Sequence, residues 1–304
     1  MDYTEVFEGD SMGTAHSTEE EPRGTFLHRI ARRSRSLAFL RRTVPTTLAC
    51  ASGKGGTGKS FVAANLATAF AARVGRCAMM DADFGLGNGH LYLGLRPRLT
   101  LQHWFERRAT LEDLVLESSF GVDLIPAGSG LPRLAEMPTE ELVRLAADLP
   151  RAIGQQKTLI LDAAAGVSTQ TLRIVGSADR ILLVVTPDLS ALTDGYALAK
   201  CLWLRDRDLV VDVVVNKSTE DAGKRAFDRL EDVAGRFLDL PLHYLGSVPN
   251  DPAAERALRK QRPLVLSEPD SPAAIALVAL ADRIAGRLAT QRRAGRFFER
   301  LAVR

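Results

Sequence analysis

The sequence predicts a doubly wound α/β fold, a mostly parallel sheet with helices on both faces. Three observations point there. Short, near-continuous apolar runs such as Ile181-Leu182-Leu183-Val184-Val185 suit strands covered on both sides. Helix-like stretches separate most of these runs, the alternation that a parallel sheet needs. A glycine-rich octapeptide, Gly53 to Ser60, joins the first strand-like run to the first long helix-like one.

Taken in order, residues 1–24 are acidic and polar with few apolar positions, a composition that predicts a disordered tail. In residues 25–44, Phe26, Leu27, Ile30, Leu37 and Leu40 fall near helical spacing, and arginines such as Arg29, Arg32, Arg33 and Arg41 fill the gaps. This reads as a basic amphipathic segment, either on a lipid surface or packed on the main domain. A single domain is expected over 45–285. Its strands are placed at 46–51, 77–81, 121–125, 157–162, 180–186, 209–215 and 242–248, and its helices include 60–73, 138–149, 189–205, 219–236 and 271–290. Pro263, Pro269 and Pro272 mark a loop before the last long helix. Ligands are expected at the carboxyl ends of the strands. Residues 286–304 form a basic amphipathic tail. Ile284, Leu288, Phe297, Phe298 and Leu301 supply an imperfect apolar face, with Arg287, Arg292, Arg293, Arg296, Arg300 and Arg304 around it.

Composition sets the outer limits. In 304 residues, 46% hydrophobic content is enough for an ordinary globular core, and a net charge of +3 says little because the arginines cluster near the two ends. Cys50, Cys77 and Cys201 are scattered without a C-x-x-C, which predicts buried structural thiols in a reducing cytosol. No apolar run reaches the roughly 18–20 residues needed to cross a bilayer. The start of the chain has acids before its basic stretch and no apolar h-region, so a secretory signal is not expected.

The chemistry begins at Gly53-Lys54-Gly55-Gly56-Thr57-Gly58-Lys59-Ser60, which fits G-x-x-x-x-G-K-[S/T]. Glycines let the backbone curl so that its N–H groups face phosphates. Lys59 reaches the β/γ-phosphates and the Ser60 hydroxyl can ligate Mg²⁺. The helix that follows presents its N-terminus to the same anion. Lys54 is not required by the loop's geometry; its charge is explained by a negative group that Lys59 does not cover. After the second strand comes Asp81-Ala82-Asp83-Phe84-Gly85-Leu86-Gly87-Asn88, where strand-end carboxylates can hold water near a Mg²⁺-bound phosphate, or serve as turn residues. Leu159-Ile160-Leu161-Asp162 is an apolar strand ending in an aspartate, the Walker B arrangement, with Asp162 placed to hold Mg²⁺ through a water. Candidate metal residues are therefore Ser60, Asp83 and Asp162. The stretch Thr186-Pro187-Asp188-Leu189-Ser190 offers helix caps in Asp188 or Ser190. Asn216 in Val214-Val215-Asn216-Lys217 carries one donor and one acceptor, which suits an adenine edge. Pro249, in Gly246-Ser247-Val248-Pro249-Asn250-Asp251-Pro252, fits either a base-flanking loop or an ordinary turn.

In this order the motifs resemble the MinD/ParA group of P-loop ATPases, the deviant Walker A family, over roughly residues 46–285. The resemblance implies ATP and Mg²⁺ as ligands, and an ATP-dependent homodimer in which Lys54 reaches the other subunit's nucleotide. Lys54, Lys59 and Asp83 are then the catalytic candidates, with Asp83 orienting the attacking water. Residues 53–60 hold the phosphates, the loop at Gly166 senses the γ-phosphate, and Asn216 and Pro249 flank the adenine. D-A-D-F-G-L-G-N, D-A-A-A-G-V-S and V-T-P-D-L-S-A-L-T-D-G-Y-A-L are closest to the FlhG/FleN branch, which controls flagellar number and placement. That branch implies a slow, partner-stimulated ATPase and a partner GTPase or regulator. The D-Q-A-x-x-L-R element that flagellar members carry before the P-loop is not found in residues 1–45. Iron–sulfur carriers are disfavoured by the isolated cysteines. Tyrosine kinases of the superfamily are disfavoured because the last tyrosine is Tyr244.

Three roles fit the C-terminal tail: a reversible anchor on an anionic membrane, a domain-capping helix with a basic end, or a nucleic-acid contact. The first is carried forward, with a cytoplasmic protein that visits the inner face of the cytoplasmic membrane. The alternative is a ParA-type chromosome or plasmid partitioning ATPase that binds nonspecific DNA. A non-hydrolysing scaffold is a third reading, disfavoured by the intact Lys59, Ser60, Asp83 and Asp162.

Overall fold

The computed structural model describes residues 45–128, 136–154, 156–289 and 297–303. The expectations for residues 1–44, and those for Arg292, Arg293, Arg296 and Arg304, lie outside the described residues.

Strand β1 (Thr46–Ala51) runs through the interior of an eight-stranded sheet. Its side chains alternate between two cores. Ala49 and Ala51 join one, and Leu48 and Cys50 the other, all four without exposed surface. This is why the run reads as continuously apolar rather than alternating. The remaining strands are β2 (Cys77–Ala82), β3 (Leu116–Glu117), β4 (Val122–Ile125), β5 (Thr158–Ala163), β6 (Arg180–Val185), β7 (Val211–Asn216) and β8 (Leu242–Val248). The order is β3-β4-β2-β5-β1-β6-β7-β8, parallel throughout except for β3, which pairs antiparallel with β4 at one edge. All seven expected strands are present with ends within two residues; β3 was not expected, and two residues are too few to leave a pattern.

One face carries α1 (Lys59–Val74), the short α2 (Gly89–Leu93) and part of the C-terminal region, including α10 (Pro272–Ala289). A brief α3 (Leu101–Phe105) helps to cover the other face. So do α4 (Thr139–Ile153), α5 (Thr169–Ser177), α6 (Leu189–Arg205) and α7 (Glu220–Leu238). Between β8 and α10 lie α8 (Pro252–Arg259) and α9 (Leu264–Ser267). Helix α5 was not expected. Every residue from Thr171 to Ser177 is buried, so it has no polar stripe, and only the Ser168 cap on Thr171 N marks its start.

Helix α10 runs on through Gly286, and Ile284 and Leu288 are fully buried in the same core as α1. Helix α11 (Phe297–Val303) lies against α4 and α5, with Phe297 and Leu301 fully buried. Arg173 of α5 donates to the Leu301 carbonyl at 3.4 Å, and Arg300 donates to the carbonyls of Ser177 and Ala178 at 3.3 and 3.2 Å. The apolar face read from the sequence is real, but protein covers it here. Cys50 and Cys77 are buried as expected, whereas Cys201 on α6 is only half-buried. Among the described residues, no helix is long and apolar enough to cross a membrane.

Candidate functional site

β1 ends in the middle of the sheet, and residues 52–58 curl back to start α1. The curl depends on Gly58, whose φ of 86° is left-handed and whose missing β-carbon would stand 2.2 Å from Asn216 Nδ2. The loop's other end is equally tight: a β-carbon on Gly53 would lie 2.0 Å from the Asp194 carbonyl oxygen of α6. A cleft of about 460 Å³ opens above the loop, lined by Gly55 to Phe61, Asp83, Asn216 and Pro249 among others. Gly55, Gly56, Thr57, Gly58, Lys59 and Ser60 are thus brought together as expected.

Lys59 Nζ lies 2.5 Å from Asp162 Oδ1, and both side chains are nearly inaccessible. Burial works most strongly against the Lys59 charge, but Asp162, helped by Asp81 and Asp83, outweighs it and the pKa is raised. The parallel register of β2 and β5 sets Asp81 beside Asp162. Burial, followed by the Asp162 charge, pushes the Asp81 carboxyl up to about 7. Asp81 also accepts from Gly89 N at 2.8 Å and Asp83 N at 3.2 Å, so it shapes the loop that carries Asp83. Sequence reasoning missed this role, since two aspartates one residue apart do not reveal which faces inward. Asp83 faces the cleft, half-buried, and accepts from Leu86 N at 3.1 Å.

Three buried oxygens near the P-loop have no hydrogen-bond partner: Asp162 Oδ2, Thr57 Oγ1 and Ser52 Oγ. Unpaired buried acceptors are costly, and this set, with Ser60 Oγ 3.5 Å from the Lys59 Nζ that meets Asp162, fits a hydrated divalent cation. Among the described residues no three His, Cys, Asp or Glu side chains converge as a metal cage. Mg²⁺ does not need one, since it keeps several waters and takes its other ligands from phosphates.

Lys54 does not turn into the cleft. Its Nζ lies 2.5 Å from Ser190 Oγ and 3.5 Å from Asp188 Oδ1, at the start of α6. Asp188 also caps α6 at Ala191 N. The Thr186 hydroxyl, then that N–H, hold its carboxyl well below the usual range. Asn216, expected at the adenine, is already engaged: its Nδ2 donates to the Thr57 carbonyl at 2.7 Å. Pro249 lines the cleft on the same side. Lys217 was not singled out beforehand; its Nζ donates to the Gly56 carbonyl at 3.0 Å.

Comparison with known proteins agrees with this geometry. Residues 48–264 match the CobQ/CobB/MinD/ParA nucleotide binding domain. The antiactivator FleN of Pseudomonas aeruginosa is 36% identical over 242 residues, covering 78% of this chain and 85% of FleN. The flagellum site-determining protein YlxH of Helicobacter pylori is 30% identical over 216 residues, covering 71% of this chain and 73% of YlxH. The septum site-determining protein MinD of Pyrococcus horikoshii OT3, solved with Mg-ADP, superposes with a TM-score of 0.64 at 27% identity, covering 81% of this chain and 99% of its own.

Proposed function

The chain belongs to the CobQ/CobB/MinD/ParA nucleotide-binding family, and from that premise we propose that it is a MinD-type ATPase working as a spatial switch. The observation that carries this reading is the Lys59–Asp162 contact, with Asp162 Oδ2 left unpaired and Ser60 Oγ 3.5 Å from the same Lys59 Nζ. ATP lies in the cleft with its phosphates on residues 55–60 and its base between Asn216 and Pro249. Ser60 and Asp162 would hold Mg²⁺, which when bound would neutralise phosphate charge. Lys59 moves from Asp162 toward the phosphates, and Asp83 orients the attacking water.

Lys54 leaves Ser190 and Asp188 to reach the nucleotide of a second copy. Leu86, Val167 and Leu189 are all exposed, and each lies a few residues after the carboxyl end of a strand. A second copy would cover them. ATP drives this pairing only if it binds the dimer-competent state preferentially. Turnover is slow until a partner protein stimulates it, and the likeness to FleN and YlxH supports control of flagellar number or placement as the process served.

Membrane attachment follows from the same switch. Helix α5 begins just after the Gly166–Ser168 loop and carries Arg173, which holds α11. A shift of that loop loosens α11 and frees its apolar face. Two such helices in a dimer bind anionic lipid far better than one.

The test is phosphate release from Mg-ATP, with sizing of the protein in ATP and in ADP. Wild type should turn over slowly and dimerise in ATP alone, and Asp83→Ala should keep the dimer with hydrolysis down by about 10² or more. A wild-type protein that binds ATP but never hydrolyses it would return the molecule to the scaffold class.

A further inference from the structure

We infer that Lys217 is a positioning residue: with Asn216 it fastens the outer side of the phosphate loop, so that the loop's N–H groups are aimed before any phosphate arrives. The inference rests on the nucleotide reading of the cleft given above.

β7 ends at Asn216, and the chain turns at once. Lys217 has φ 56°, a left-handed conformation that a residue with a β-carbon adopts only at a cost. Of the four such residues among the described ones (Arg107, Lys217, Asp239 and Gln261), it alone lines the cleft. The turn is pinned on its far side, where Ser218 N donates to the Val248 carbonyl at 3.0 Å. This arrangement folds the Lys217 side chain back over the loop.

Two successive side chains therefore hold two successive carbonyls. Lys217 Nζ donates to the Gly56 oxygen at 3.0 Å, and Asn216 Nδ2 donates to the Thr57 oxygen at 2.7 Å. In a planar trans peptide, the C=O of one residue and the N–H of the next point in opposite directions. Holding the Gly56 carbonyl thus fixes the Thr57 N–H on the other side, and holding the Thr57 carbonyl does the same for the Gly58 N–H. Those are donors that a phosphate needs. A loop without these two anchors has to order itself during binding, and affinity is lost to that ordering. A lysine placed only for solubility needs neither the left-handed turn nor the carbonyl. Because Ser218 is tied to Val248, beside Pro249, the turn also joins the base end of the cleft to its phosphate end.

The experiment uses the full chain and three ligands: ADP and a non-hydrolysable ATP analogue by calorimetry, and adenosine by ligand-observed NMR. Lys217→Met keeps the stem and removes the donor; Lys217→Arg keeps a donor. Lys217→Met should bind ADP and the analogue about tenfold more weakly, the loss expected for one charge-assisted hydrogen bond. Adenosine binding should stay the same, as should thermal unfolding without ligand, and Lys217→Arg should recover most of the loss. Hydrogen exchange at Thr57 and Gly58 in the free protein should rise in the methionine variant. Unchanged ADP affinity in Lys217→Met overturns the inference, and so does an equal loss for adenosine, which would place Lys217 on the base or ribose. If the wild type itself bound neither ADP nor the analogue, the nucleotide reading would fall, and the inference with it.

Discussion

Lys54 Nζ sits 2.5 Å from Ser190 Oγ, so the lysine that the phosphate loop does not itself need is parked on the first turn of α6. The missing β-carbon of Gly53 lets the loop pack directly against the Asp194 carbonyl of that helix. Leaving this berth breaks an exposed contact with Asp188 and Ser190, and such contacts contribute at most about 1 kcal/mol. In the proposed dimer a partner's phosphate would outcompete it easily. Lys54→Ala should therefore abolish ATP-dependent dimers while changing single-chain nucleotide affinity only a few-fold. Light scattering during size exclusion in ATP reads this directly, and dimers persisting in the variant would remove Lys54 from the interface.

Asp162 has a structural duty as well as its proposed place beside Mg²⁺. Asp162→Asn leaves Lys59 buried without its counter-charge, and breaking a buried pair from one side costs about 3 kcal/mol or more. Urea unfolding without nucleotide should show that loss, and Mg²⁺-dependent ATP binding should disappear with it. A variant as stable as wild type would mean that Lys59 relaxes into solvent when its partner goes.

The docking of α11 is tested by loosening it. Arg173→Met keeps bulk but removes the bond to the Leu301 carbonyl and the bond to Thr139 Oγ1 at 2.7 Å. The variant should sediment with anionic liposomes several-fold more than wild type in ADP. Truncation before Gln291 should abolish sedimentation in either nucleotide. Retention on random-sequence duplex DNA, with no response to liposomes, would favour the partitioning alternative instead.

His243 gives a pH dependence at the opposite end of the sheet. Burial holds its pKa below the ordinary 6.5, with Asp212 opposing and Arg287 and Arg180 adding to the depression. The unfolded chain therefore binds the proton more readily than the folded one. The neutral ring's contribution is fully present above the ordinary value and is lost as pH falls through it toward the depressed value. His243→Gln should flatten the rise of stability as pH climbs toward and through the ordinary 6.5, followed by denaturant titration at several pH values. An unaltered slope would assign it to other groups.

The sheet and the phosphate loop were legible because both are local. A strand covered on two faces leaves a run of apolar residues, and the loop leaves its glycines. What stayed hidden was set by distant contacts. Asn216 reaches Thr57 across 159 residues, and its amide can serve a carbonyl as well as an adenine. Asp81 and Asp83 look alike in sequence; only the register of β2 on β5 sends one inward. The tail's apolar face was read correctly, but the same spacing of Phe297 and Leu301 serves a lipid surface or a groove between helices. Sequence alone cannot distinguish them when the groove is built from residues more than a hundred positions away.

The three cysteines differ in a way that can be put to use. Cys50 and Cys77 are sealed inside the sheet, with burial pushing both thiols up and away from the reactive thiolate. Cys201 alone retains surface, on the helix whose first turn holds Lys54. A maleimide dye should enter the native chain at that one position without any cysteine being engineered. The unmodified sequence thus carries its own attachment point for following α6 by fluorescence as the nucleotide is exchanged.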